Sequence, residues 1–177
     1  SEGAFKNNKK VTKVTIGSNV SKISKNAFNG AIKLKTVTMG QNVTEIGAYA
    51  FKGCKVLTGI TLPAKTTKIG DQAFSGCTQL STIKMVQTIK KIGESAFKNC
   101  TSLKKLTLYK TVKTIGANAF AGATNLTLKV YSNSAGKKYA RVNNIPWEYT
   151  DSEKERMAED LRVYDMLVNS GIQSVKD

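Results

Sequence analysis

Phenylalanine recurs at a single spacing. All six lie 23 residues apart, at Phe5, Phe28, Phe51, Phe74, Phe97 and Phe120, and each follows an alanine, from Ala4 to Ala119. Other apolar positions keep the same period. Ile23, Ile46, Ile69, Ile92 and Ile115 form one column, and Leu34, Leu57, Leu80, Leu103 and Leu126 another. Val14, Val37, Ile60, Ile83 and Leu106 follow, then Ile16, Met39, Leu62, Met85 and Leu108. One such unit cannot bury its own apolar face, so the units must stack, and stacking lays each column over itself. The repeat therefore predicts a solenoid in which every Phe rests on the Phe of the next rung.

Within a unit, Leu-x-x-Ile-x-Leu alternates in its second half, so Ile60 and Leu62 point inward and Gly59 and Thr61 outward. That is a short strand, paired in parallel with its counterpart in the next rung. A second extended run, Val-x-x-Ile-Gly, returns along the opposite wall, its glycine (Gly47, Gly70, Gly93, Gly116) expected to allow a tight turn. A short helical turn is expected around Ala-Phe. The crossover rule predicts a right-handed coil, and six rungs at about 4.8 Å make a rod of about 29 Å. The fold class is a strand-rich α/β repeat solenoid, closed by a C-terminal cap and a helix.

The pattern Ile69-Gly70-x-x-Ala73-Phe74-x-Gly76-Cys77-x-x-Leu80-x-x-Ile83-x-Met85 resembles the BspA-like, or Treponema-type, leucine-rich repeat. The resemblance spans residues 1 to about 149. It implies an extracellular or surface-anchored scaffold for adhesion or protein binding, and no catalyst. Ser24 replaces the usual glycine, Thr66 an apolar residue, and Pro63 is the only proline at a strand exit.

Residues 1–131 read as the solenoid. Its first unit is expected to be truncated, since Ser1 aligns with Gly93 in mid-rung, and no signal peptide is visible in the sequence. Residues 132–150 read as a cap over the apolar end: Asn133 or Ser134 starts a short helix through about Val142, and Ile145–Tyr149 is a final edge strand. Residues 151–177 read as an amphipathic tail. A capping box at Ser152–Glu155 opens a helix with Met157, Leu161, Tyr164 and Val168 on one face, and Asn169-Ser170-Gly171 stops it. The expectation is a helix docked on or beside the cap, because packing an apolar face supplies most helical stability.

Charge is divided unevenly. Residues 1–150 hold 24 basic and 5 acidic side chains, a net of +19; residues 151–177 hold 4 and 7, a net of −3. Only Arg141, Arg156 and Arg162 are arginine, and lysine is poorly suited to bidentate reading of bases. Single-strand readers interleave aromatics with charge, which these faces lack, so an acidic glycan or a protein is the expected partner and nucleic acid is not. No stretch approaches the roughly 18 apolar residues of a membrane span.

No chemistry for catalysis is legible. Histidine is absent, as is any Gly-x-Ser-x-Gly. Asp71 and Glu94 align on adjacent rungs as stacked carboxylates, and could in principle share a proton, but read as solvated surface charges. Cys54, Cys77 and Cys100 share a column with Ala31 and Ala123. A ladder does not converge on a metal, so they read as small buried free thiols. No catalytic, cofactor or metal residue is assigned. The candidate binding surface is the outward strand face, with Lys13, Thr15, Thr36, Thr38, Thr61, Thr82, Lys84, Lys105 and Thr107, and the second wall, with Lys22, Lys68, Lys90, Lys91 and Lys113. Lysines stacked about 5 Å apart would repel, which makes a purely solvated face costly. Tyr109 and Tyr131 lie near the strand exit.

Overall fold

A computed structural model describes residues 2–169. Each rung carries two short strands. The first set is β1 (Lys13–Thr15), β3 (Thr36–Thr38), β5 (Gly59–Thr61), β7 (Thr82–Lys84) and β9 (Lys105–Thr107). The second is β2 (Lys22–Ile23), β4 (Glu45–Ile46), β6 (Lys68–Ile69), β8 (Lys91–Ile92) and β10 (Thr114–Ile115). Pairing is parallel and follows the repeat, with Val14 opposite Val37 and Ile23 opposite Ile46. The second set forms one five-stranded sheet. The first set is divided into β1–β3, β5–β7 and a group in which β9 pairs with β11 (Thr127–Val130), itself paired with the edge strand β12 (Trp147–Tyr149). The period slips once: Leu128 lies opposite Leu106, 22 residues away, so β11 has lost one residue of the repeat.

The Ala-Phe segment is not helical. It forms a third hydrogen-bonded wall, in which Phe51 N–H donates to the Ala73 carbonyl at 2.8 Å and Phe74 N–H to Ala96 at 2.8 Å. Two left-handed residues per rung, two before and two after each Phe, prevent a helix. Before Phe stand Asn26, Tyr49, Gln72, Ser95 and Asn118, with φ of 51–59°. After it stand Gly30, Gly53, Gly76, Asn99 and Gly122, with φ of 59–76°. A right-handed helix cannot continue through either position. Gly and Asn fill the second column because they tolerate it best.

The glycine after the isoleucine serves another purpose than a turn. Gly70 has no positive φ, but a Cβ there would lie 2.6 Å from the Ala48 nitrogen and 2.7 Å from the Gly47 carbonyl carbon. The neighbouring rung's backbone passes directly against it. Glycine is required here for close approach.

The core is the stacked columns. Adjacent Phe rings lie 5.2–5.4 Å apart and within 10° of parallel. A separation this large between parallel rings is an offset stack, the arrangement that the ring quadrupole favours. Phe51, Phe74 and Phe97 are wholly buried. Thr66 is buried in an apolar column and satisfies its hydroxyl by donating to the Val43 carbonyl at 2.9 Å. The departure is tolerated because no polar atom is left bare.

Helix α1 (Ala135–Val142) closes the solenoid, capped at Ser134, whose Oγ accepts from Lys137 N–H at 3.1 Å. Tyr139 meets Phe120 edge-on at 5.8 Å and ends the Phe column. Helix α2 (Asp151–Asn169) exists, but starts from Thr150, whose Oγ1 accepts from Glu153 N–H at 3.3 Å; the box at Ser152–Glu155 does not form. Nor does α2 lay its apolar face on the cap. Leu161 and Tyr164 are each 61% exposed, and Met157, Met166 and Val168 are exposed too. Its anchor is polar: the Glu153 side chain, 3% exposed, accepts from Ser132 N–H at 2.9 Å and from the Ser132 hydroxyl, and pairs with Arg156 at 3.2 Å and Lys110 at 3.6 Å. The stop expected at Asn169-Ser170-Gly171 lies largely outside the described residues.

Candidate binding surface

The strands present alternate side chains to opposite sides, and this places the candidate residues. On the first face Lys13, Thr15, Thr36, Thr38, Thr61, Thr82, Lys84 and Lys105 are exposed, and Thr107 is half-buried. Each strand centre (Val37, Ile60, Ile83, Leu106) is buried behind them. On the second wall Lys22, Lys90, Lys91 and Lys113 are exposed and Lys68 is half-buried.

Threonine does two different jobs on this surface. In the turns, Thr44, Thr67, Thr78 and Thr101 donate their hydroxyls to carbonyls of the neighbouring rung (Ser21, Thr44, Lys55 and Thr78) and so tie rungs together. On the strand face, the hydroxyls of Thr15, Thr36, Thr38, Thr61, Thr82 and Thr107 make no such bond among the described residues. The sequence shows both as threonine in a column. Only the geometry separates the structural set from the free one.

The lysines divide in the same way. Glu45 stands between Lys22 and Lys68, 3.0 and 2.8 Å from their ammonium groups, and the Lys68 hydrogen bond holds its carboxyl below the usual range. Repulsion along that part of the column is thereby relieved. Lys105 pairs with Glu148 at 3.2 Å. Lys13, Lys84, Lys90, Lys91 and Lys113 have no ion pair among the described residues. Lys90, Lys91 and Lys113 sit together on two adjacent rungs, so the unbalanced charge of the second wall is gathered there.

Other candidates resolve quietly. Asp71 accepts the Glu94 N–H at 2.9 Å, joining the two rungs through the backbone. The three cysteines are buried and free. Cys54, Cys77 and Cys100 donate to the Phe28, Phe51 and Phe74 carbonyls at 3.3, 3.1 and 3.2 Å. Burial pushes the Cys54 and Cys100 thiols up to about 12 and raises Cys77 well above the ordinary thiol value, with its two thiol neighbours adding to the effect. No group of three or more His, Cys, Asp and Glu suits a metal among the described residues. No helix there is long and apolar enough to cross a membrane. Tyr109 and Tyr131 are half-buried against each other at 6.2 Å.

The sequence did not single out the cleft in the first face. The sheet is interrupted between β3 and β5, and there a groove of about 810 Å³ opens. Its lining includes the exposed Thr38, Thr61 and Thr82 together with Met39, Gln41, Gly59, Pro63 and Lys65. The signal was present, since Gly59 and Pro63 both break their columns in the same unit.

Six copies of the BspA type leucine rich repeat region match residues 1–127. The chain belongs to the BspA-type leucine-rich repeat family. Solved structures of similar bacterial proteins agree with that membership. The Treponema pallidum leucine rich repeat protein is 31% identical, with a TM-score of 0.65, over 67% of this chain and 58% of that one. The pneumococcal vaccine antigen PcpA is 35% identical, with a TM-score of 0.60, over 68% and 31%. A leucine rich cell surface protein from Faecalibacterium prausnitzii is 30% identical, with a TM-score of 0.56, over 73% and 41%. This BspA-type chain therefore spans well under two thirds of these structural relatives. No curated protein matches it.

Proposed function

We propose that the chain is a non-enzymatic binding module of a larger bacterial surface or secreted protein, holding an acidic glycan or an acidic protein surface against its basic wall. The observation that carries this reading is the cluster of Lys90, Lys91 and Lys113, exposed on adjacent rungs with no carboxylate paired to any of them among the described residues. Like charges held about 5 Å apart repel, and a polyanion relieves that repulsion. Family membership, and relatives that include a protein named for the cell surface, support an extracellular setting. The solenoid residues 1–131, the cap 132–150 and the tail 151–177 act in this reading as platform, closure and connection.

Heparin binding at low salt tests it. Reversing Lys90, Lys91 and Lys113 to glutamate should weaken binding well beyond reversing three scattered lysines, Lys6, Lys55 and Lys104. Moderate salt should weaken both, because the Debye length is only about 8 Å at physiological ionic strength. Equal losses for the two triple variants would reduce the wall to a diffuse cloud of charge. No binding at low salt would leave the solenoid as a spacer between other domains.

A further inference from the structure

Helix α2 carries an apolar stripe in solvent. Met157, Leu161, Tyr164 and Val168 recur at helical spacing on one face and are 39%, 61%, 61% and 55% exposed. Val163 and Met166, also exposed, fall outside the stripe. Asp160 and Asp165 border it on its two sides. Asp160 pairs with Arg156, and Asp165 has no ion pair among the described residues. The helix as a whole, Asp151–Asn169, holds six acidic and three basic side chains, a net of −3.

The cap carries the complement. A groove of about 320 Å³ lies between α1 and β10. Val142, 74% exposed, and the half-buried Ile115, Ala135 and Tyr139 give it an apolar lining. The exposed Lys113 and Lys138 rim it, Thr114 and Asn143 are its other polar residues, and no carboxylate lines it. Neither lysine has an ion pair among the described residues. Arg141, beside Val142, adds a third exposed cation. The chain's own α2 does not occupy this groove: Glu153 ties that helix to Ser132, and no α2 residue lines the opening.

We propose that the groove receives α2 of a second copy of the chain, in a reciprocal dimer in which each helix lies on its partner's cap. Leu161 and Tyr164, three residues apart, insert between Ile115 and Val142 as the anchors of a helix-in-groove contact, and the bordering aspartates meet the lysine rim. Pairing α2 with α2 is disfavoured, because facing stripes would bring the aspartates of both copies together. The area favours exchange over a single contact. The stripe is about 18 Å long, and a half-cylinder of that length and of helix width presents roughly 300 Å². One contact would bury about 600 Å² over both partners, too little for a stable interface, whereas two reciprocal contacts reach about 1,200 Å², the lower end of the stable range. Both surfaces belong to the cap end, so a two-fold axis beyond that end relates them. The dimer goes beyond the polyanion reading and does not rest on it.

Sedimentation velocity of the whole chain, from low to high micromolar concentration, tests the proposal. Monomer and dimer should exchange, with no larger species. Leu161→Ser with Tyr164→Ser, and separately Val142→Glu, change side chains that are exposed in the monomer; each should keep the thermal midpoint and weaken dimerisation at least tenfold. Lys113→Asp with Lys138→Asp should weaken it as well, and so should Asp160→Lys with Asp165→Lys. All four changes in one chain reverse both sides of the contact and should restore the dimer. A combined variant no tighter than either parent would overturn the proposal. So would a chain that stays monomeric throughout, with or without its α2 stripe protected from hydrogen exchange, the protected case marking a helix docked in cis. A dimer untouched by Val142→Glu would overturn it too, in favour of α2 pairing with α2. Reversing Lys90 and Lys91, which lie outside the groove, should leave dimerisation within twofold, so the failure of this contact and the failure of polyanion binding are separate results.

Discussion

Removing one ring from the middle of the Phe column should cost far more than removing one from its end. Phe74 is wholly buried and stacks on Phe51 at 5.3 Å and on Phe97 at 5.4 Å, whereas Phe5 is 41% exposed and stacks on Phe28 alone. An aromatic side chain buries about 150–250 Å², worth about 4–6 kcal/mol at 25 cal/mol per Å², and measured Phe→Ala changes run at about 3–5 kcal/mol. Phe74→Ala should reach that range, since the rings on both sides are held by backbone ladders and cannot close the gap. Phe5 has buried about three fifths as much and has one ring partner, so Phe5→Ala should cost at most about 2–3 kcal/mol. Fraying of the end rung reduces the measured loss further, because each rung is stabilised chiefly by its neighbours. Urea unfolding followed by circular dichroism gives both numbers from the shift in midpoint at constant slope. A Phe74→Ala cost below about 1 kcal/mol, or one no larger than that of Phe5→Ala, would show that the stacked column does not carry the core.

The thiols should behave as a buried set: native protein reacts slowly with a thiol reagent at pH 8 and denatured protein quickly, and fast native labelling would contradict the burial of Cys54, Cys77 and Cys100. Glu153 titrates near 2 rather than 4.5, through hydrogen bonds from the Ser132 hydroxyl and Arg156. Its contribution is therefore complete above about pH 4.5 and is lost as pH falls toward 2. The thermal midpoint of the wild type should drop more steeply over that interval than that of Glu153→Gln, and parallel curves would refute the anchor. Hydrogen exchange should find α2 protected near Glu153 and poorly protected beyond Met157, where its apolar side chains face solvent; uniform protection would restore a docked helix. Gly70→Ala forces a Cβ into backbone and should cost about 1–3 kcal/mol, whereas Gly59→Ala, whose Cβ would meet only Thr82 at 3.5 Å or more, should be close to neutral. Equal costs would remove the distinction between a glycine needed for packing and one that leaves a groove.

The period by itself determined the rungs, the parallel register and the buried columns. A side chain that returns every 23 residues to the same place meets its own copies and nothing else. The small residue at Cys54, Cys77 and Cys100, the cap helix starting at Ser134 and the edge strand ending at Tyr149 followed from the same local rules. Conformation inside a rung did not. Ala-Phe next to polar residues suits a helix, and only hydrogen bonding to the rungs above and below selects two left-handed residues instead. Gly70 looks like a turn residue until the neighbouring backbone is seen against it. Pairing across rungs likewise sorted Lys68, held by Glu45, from Lys91, which is not, and tied turn threonines to carbonyls while leaving those of the strand face free. Helix α2 shows the limit most clearly. Its apolar spacing promised a docked face, but spacing describes only one partner of a contact, and no apolar surface of the cap lies where Leu161 and Tyr164 point. What holds the helix is the carboxylate of Glu153 on Ser132, 21 residues away in sequence and adjacent only in the folded chain.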